Sequence, residues 1–200
     1  MNAAHTPQNL RQVRYPPLER ETFLVSRVVE RDLRAFHELY GSYQPRLTRF
    51  LGRLTQSPAL VDEIVNDTMM VVWEKLASFK GESKLSTWIF AIAYRKAAKA
   101  LRTYKSQEPV EDKLETGSED YEPAQESHIH DQKVHTLLRD AMMKLSPDHR
   151  AVVDLAYFHD MGYREIADIM SSPVDTVKTR MFHARRALKA TLSGEIADWL

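Results

Sequence analysis

From Thr176 to Lys189 the ionisable residues are Lys178, Arg180, His183, Arg185, Arg186 and Lys189, without one carboxylate. Along one helix such a run neutralises phosphates, and arginine also reads the two acceptors of guanine in the major groove. A second concentration lies between residues 80 and 102. Trp88, Ile92, Arg95, Lys99 and Arg102 share one side of a helical pattern behind the polar loop Phe79-Lys80-Gly81-Glu82-Ser83-Lys84-Leu85-Ser86. Cations that follow a backbone beside an aromatic surface suit single-stranded nucleic acid, whose unstacked bases need a flat partner. A third set is Asp62, Asn66, Met70 and Trp73, flanked by Glu63 and Asp67. Carboxylates mixed with Met and Trp suit docking on a basic protein surface. Each set has a plainer reading: solvated charge, with Trp73 in the core and Trp88 structural.

The elements that must hold these residues are helical. Gly162 to Leu192 reads as a short amphipathic helix, a Ser-Ser-Pro break and a second, basic helix, the pattern of a helix-turn-helix. Apolar residues recur at helical spacing through Ile166, Ala167, Ile169 and Met170, then Val174, Val177, Met181, Ala184 and Leu188. Ser172 is expected to cap the second helix, with Pro173 at its first position and Asp175 completing a capping-box-like pair. Four helices are expected between Glu19 and Tyr104. One starts at Ser57-Pro58 by the same logic, with an apolar stripe of Val61, Ile64, Val65, Thr68, Val72 and Leu76. Another runs from Thr87 to about Tyr104, with Ile89, Ala93, Ala97 and Ala100 as its apolar side.

Composition narrows the classes. The net charge of +0 averages unlike segments: residues 26–102 carry 13 basic and 8 acidic groups, and residues 103–133 carry 3 and 9. The acidic stretch, with Pro109, Gly117 and Pro123 and little apolar periodicity, reads as a flexible linker. Its acid groups suit either solvated disorder or a cationic channel in a partner. The expected division is an arm over 1–20, a helical domain over 21–104, the linker over 105–133 and a second helical domain over 134–200. The fold class is all-α, two small helical domains. No apolar run approaches a membrane span and no secretory h-region is present, so membrane insertion is not expected. The chain has no cysteine, which makes the cytoplasm the simplest compartment. His128, His130 and His135 lack partner cysteines, so no metal site or cofactor is expected. No phosphate loop, nucleophile motif or metal-ligand helix points to an enzyme.

Two runs carry a resemblance. Asp62-Glu63-Ile64-Val65-Asn66-Asp67, Trp73, Phe79-Lys80-Gly81, Ser86-Thr87-Trp88-Ile89-Phe90-Ala91-Ile92-Ala93 and Leu101-Arg102 resemble region 2 of a bacterial sigma factor. Leu145-Ser146-Pro147, Arg150, Glu165-Ile166-Ala167, Thr176-Val177-Lys178-Thr179-Arg180, Ala184-Arg185 and Leu188 resemble region 4. Both regions in order, with a short linker, resemble the extracytoplasmic-function type. Asn66 stands where the family usually has Gln, Arg95 and Lys99 where it often has Asn and Asp, and Asp175 where Gly is frequent.

The resemblance implies a factor, not an enzyme, that binds core RNA polymerase and directs it to promoter DNA. Asp62, Glu63, Asn66, Asp67 and Trp73 would grip the β′ clamp helices, and region 4 would meet the β flap. The loop of Lys80, Gly81, Glu82, Ser83, Lys84 and Ser86 would receive a flipped base of the −10 element, while Trp88, Arg95, Lys96, Lys99 and Arg102 hold the separated strand. Thr176, Lys178, Thr179, Arg180 and His183 would read the −35 element. Asp175 would favour the helix dipole and is able to accept from cytosine. Arg164, Arg185 and Arg186 would contact phosphate. An anti-sigma factor is the implied regulator. The competing reading is a stand-alone helix-turn-helix regulator, with residues 26–104 as a sensory or dimerisation domain.

Overall fold

A computed structural model describes residues 17–55, 57–107 and 128–197, with side chains over 20–55, 57–103 and 136–193. Eight α-helices follow one another among them: α1 Pro17–Val29, α2 Leu33–Leu54, α3 Pro58–Lys75, α4 Leu85–Gln107, α5 His128–Met143, α6 Pro147–Tyr157, α7 Tyr163–Met170 and α8 Val174–Ala197. A 3-10 turn, Leu76–Ser78, follows α3. None of the described helices is long and apolar enough to cross a membrane.

The starts of these helices follow from their caps. Asp32 accepts from the amides of Arg34 and Ala35 and begins α2. Ser57 accepts from the Leu60 amide ahead of Pro58 at the first turn of α3, as the sequence predicts. Ser146 does the same for α6 through the His149 amide. The start of α8 differs from expectation. That helix begins at Val174, and the Ser172 hydroxyl donates to the Met170 carbonyl at 3.1 Å and accepts from Arg180 at 3.2 Å. Asp175 pairs with Lys178 at 2.9 Å instead of closing a capping box. The cause is the turn itself: Ser171 takes a left-handed conformation (φ 49°) to end α7, which turns Ser172 back toward that helix.

Helices α1–α4 form one bundle and α5–α8 a second, and the two share a face. The stripe predicted for α3 (Val61, Ile64, Val65, Thr68, Val72) is buried, as are Ile166, Ala167, Ile169 and Met170 of α7 and Val177, Met181 and Ala184 of α8. Ile92 departs from expectation. It lies in the core, not on the side that carries Arg95 and Lys99, because α4 is packed on several sides, by α2, α3 and α7. Helix α1 begins inside the stretch read as an arm, and α4 and α5 extend into the stretch read as linker. Residues 1–16 and 108–127 of those stretches lie outside the described residues.

Where the bundles meet, α2 and α4 receive α6 and α7. His159, just past α6, lies with its ring 4.7 Å from that of Phe90 and 6.0 Å from that of Phe50, both edge-on. Phe50 and Phe90 are themselves 5.3 Å apart and fully buried. Arg150 is the polar centre of this contact. Its guanidinium donates to the carbonyls of Met142, Met143 and Leu145 at the end of α5, and to those of Arg53 and Leu54 at the end of α2. A helix C-terminus leaves carbonyls without intrahelical donors and carries partial negative charge. One buried cation satisfies two such ends. Burial lowers its pKa from the ordinary arginine value.

Candidate polymerase and nucleic-acid interfaces

The acidic face of α3 is open. Asp62, Glu63, Asn66 and Asp67 are exposed, and Met70 is 58% exposed. Trp73 is half-buried. Its ring lies 4.9 Å from Phe36, and the Arg31 guanidinium sits 5.2 Å over it while also donating to its carbonyl. The ring is thus packed by Phe36 and Arg31 and remains partly accessible. Asn66 accepts from the Tyr40 hydroxyl at 3.0 Å, which fixes its amide.

The loop before α4 turns at Gly81, whose φ of 71° favours glycine. Lys80, Gly81, Glu82 and Lys84 are exposed, and Ser83 and Ser86 are half-buried. Trp88 is half-buried against Phe79, ring to ring at 5.7 Å, at the foot of this loop. Above it Arg95, Lys99 and Arg102 stand exposed along α4, a continuous cationic ridge. Lys96 is not equivalent to them: its ammonium is bound to Asp67 of α3 at 2.7 Å.

On the second bundle, His149, Asp175, Thr176, Thr179, Arg180 and His183 line a shallow recess of about 370 Å³. Five of these six belong to the set that the sequence reading assigned to the −35 element. His149 is the addition, its ring 6.3 Å from that of His183. Lys178, His183, Arg185 and Arg186 are exposed along α8, and Arg164 is exposed on α7. Arg185 lies 5.6 Å over the Tyr157 ring. Arg180 is more constrained than expected. It binds Asp148 at 2.6 Å and the Ser172 hydroxyl, so its fork is already occupied.

Sequence reasoning missed the residues that join the bundles. Asp148 forms an ion pair with Arg180 and, through its other oxygen, accepts from the Tyr94 hydroxyl of α4 at 2.8 Å. Burial and this carboxylate push the Tyr94 pKa well above the ordinary phenol value. Asp154 is fully buried. Its Oδ1 meets Arg53 of α2 at 2.6 Å, and its Oδ2 lies 3.2 Å from His159 Nε2, within ion-pair reach but outside hydrogen-bond alignment. Arg53 also stacks 3.7 Å over the Phe158 ring. Glu165 opens α7 by accepting from the Gly162 amide at 3.0 Å, and crosses to α4 by accepting from Lys84 at 3.0 Å and Thr87 at 3.3 Å. Burial raises the Glu165 pKa, but those three donors outweigh it and hold the carboxyl below its usual value. No group of three or more potential metal-ligating side chains is found among the described residues.

Comparison with known proteins fits these surfaces into one family. Residues 39–107 match the family described as Sigma-70 region 2, and residues 135–188 that described as Sigma-70, region 4. The ECF RNA polymerase sigma factor RpoE of Cereibacter sphaeroides is 31% identical over 164 residues, 82% of this chain and 89% of that protein. The ECF RNA polymerase sigma-E factor of Haemophilus influenzae is 28% identical over 176 residues, 83% of this chain and 92% of that protein. Among solved structures, the sigma factor RpoE of Bartonella quintana, in complex with the anti-sigma factor NepR, shares the fold. It has a TM-score of 0.63 and 23% identity, over 80% of this chain and 98% of that one. CnrH, in complex with the cytosolic domain of CnrY, shares it with a TM-score of 0.65 and 20% identity, over 88% and 98%. The all-α, two-bundle architecture and the order of its regions agree, and the chain belongs to the extracytoplasmic-function family of RNA polymerase sigma factors.

Proposed function

We propose that this chain binds core RNA polymerase and directs it to promoters by contacting both a −10 and a −35 element. One observation carries the reading. A single chain presents an open acidic face with Met70 at its centre, a cationic ridge beside Trp88, and a basic helix-turn-helix, in the order of regions 2 and 4. The α3 face (Asp62, Glu63, Asn66, Met70) takes the β′ clamp helices, and region 4 takes the β flap. The Lys80–Ser86 loop takes a flipped base, and Trp88 with Arg95, Lys99 and Arg102 holds the strand. The recess on α8 takes the −35 duplex, with Thr176, Thr179 and His183 toward base edges and Lys178, Arg164, Arg185 and Arg186 toward phosphate.

The chain works in the cytoplasm, where polymerase is, and performs no catalysis of its own. An anti-sigma factor holds it inactive until a signal releases it. This partner class is supported by the complex that the related RpoE of Bartonella quintana forms with NepR. Transcription in vitro with purified core polymerase and a library of promoters tests the reading. Initiation that depends on adding this chain is the expected result. Tight, specific duplex binding without polymerase, and no initiation across the library, would favour the stand-alone regulator instead.

A further inference from the structure

We propose that His149 of α6 joins His183 as a DNA contact, and that the two histidines take up protons when the −35 duplex enters the recess they line. The inference rests on the promoter-binding reading above and adds a residue and a proton-linked step to its −35 contact.

Duplex DNA is a dense polyanion, and a surface that meets it needs cations. The ionic side chains of the recess are already matched one to one. Asp175 pairs with Lys178 at 2.9 Å, and Arg180 with Asp148 at 2.6 Å. Asp148 also takes the Tyr94 hydroxyl, the contribution of α4. Helices α2, α5 and α7 pack on α6 or α8 but give no residue to the described lining. His149 and His183 remain. Among the described residues, neither has a carboxylate within ion-pair distance. Of the residue types around the recess, only histidine changes charge between about pH 5 and 8. Within the lining, the pair alone is able to supply unmatched positive charge.

Geometry makes the two act together. The rings lie 6.3 Å apart, one from each helix, with His149 half-buried and His183 exposed. His183 meets a base edge and His149 the phosphate beside it. Ser146 suits His149 to either charge state. Its hydroxyl oxygen accepts from the His149 amide and lies 2.8 Å from Nδ1. A hydroxyl donates to a neutral Nδ1 and accepts from a protonated one, so in both states Nε2 carries a hydrogen to offer. Two imidazolium charges this close repel each other, so the free chain resists charging both. A phosphate favours the charged ring. Binding therefore draws in protons, and by linkage a fall in pH through the histidine range strengthens binding.

Two titrations of the full chain test the proposal. In the first, core polymerase carrying the chain binds a promoter that initiates in the library assay, between about pH 8 and about pH 6 at constant ionic strength. Across that range wild type should gain about tenfold in affinity over the double variant His149→Gln with His183→Gln, each single variant falling between. At the acid end its log K against log salt slope should be steeper than the variant's by up to about 0.9 per histidine, the value for one duplex phosphate. A wild-type advantage that does not change with pH overturns the proposal and leaves the histidines a packing role.

In the second, the free chain binds a random-sequence duplex at low salt, and calorimetry in two buffers of different ionisation enthalpy counts the protons taken up. The unsubstituted chain should take up protons near neutral pH, and the double variant fewer. The wild-type arm needs no substitution, so a variant that folds poorly does not obscure it. Absence of uptake by wild type, or equal uptake by a folded double variant, refutes the histidine contact. This titration needs neither polymerase nor promoter. Failure to initiate across the library counts against the promoter reading, and the calorimetry still decides the role of the pair.

Discussion

Lys96 of α4 donates to Asp67 of α3 at 2.7 Å, so a residue expected on the DNA strand and one expected on polymerase neutralise each other. Such half-exposed pairs contribute at most about 1 kcal/mol to stability. Their effect on binding is larger, because a lysine already paired releases no counterion when it meets a phosphate. Alanine at Arg95, Lys99 or Arg102 should each lower the salt dependence of open-complex binding by about 0.7 in slope, the value for one single-strand phosphate contact. Lys96→Ala should lower it by much less. A full-sized change at Lys96 would show that the pair breaks on the promoter.

Trp88 is half-buried against Phe79, at the foot of the loop before α4. Trp88→Ala should slow promoter melting, followed by permanganate reactivity of unpaired thymines, more than tenfold, since base–aromatic stacking is worth about 1–3 kcal/mol. Affinity for core polymerase should change less than threefold. Equal losses in both assays would mean that the ring serves only to hold the loop.

Arg150→Ala removes the donor shared by five carbonyls at two helix ends. Buried carbonyls without donors make this costly: about 3 kcal/mol, allowing for relaxation. The Tm should fall by roughly 10 °C in calorimetry. Arg150→Lys should recover only part of this, because an ammonium lacks the planar fork. A fall of only a degree or two would show that water replaces the guanidinium.

Glu165 gives the contact between α7 and α4 a pH dependence. Its carboxyl is held below the usual glutamate value in the folded chain, so the unfolded chain takes up its proton more readily than the folded chain does. The stabilisation is thus present above the ordinary pKa, about 4.3, and is lost as pH falls through the lowered one. Comparing wild type with Glu165→Gln by urea unfolding isolates this group from the other carboxylates. The difference should be largest at neutral pH and shrink below about pH 4. A difference independent of pH would assign the effect to side-chain packing.

Local features were legible in the sequence because they depend on neighbours a few residues away. Ser57-Pro58 announced α3, and the period of Ile166, Ala167, Ile169 and Met170 announced the buried side of α7. The same local logic erred at Ser172, where a left-handed Ser171 turned the hydroxyl toward the preceding helix. It also placed Ile92 outward, since a helix packed on several sides does not show one clean stripe. That these residues join the bundles was not legible. Arg53 and Asp154 are 101 positions apart, and nothing in the spacing of either marks a partner so distant. Arg150 was visible as part of a family pattern, but its partners are backbone carbonyls, which leave no side-chain signature.

Asp148 holds Tyr94 with one oxygen and Arg180 with the other. A change at Arg180, which lines the proposed −35 recess, also alters the charge around the carboxylate that Tyr94 needs. Such a variant is expected to differ from its parent in the contact between the bundles as well as in any contact with DNA. Promoter preference ranked by transcript yield alone will mix the two. The proposed −35 recess and the seating of one bundle on the other thus meet at one acidic side chain.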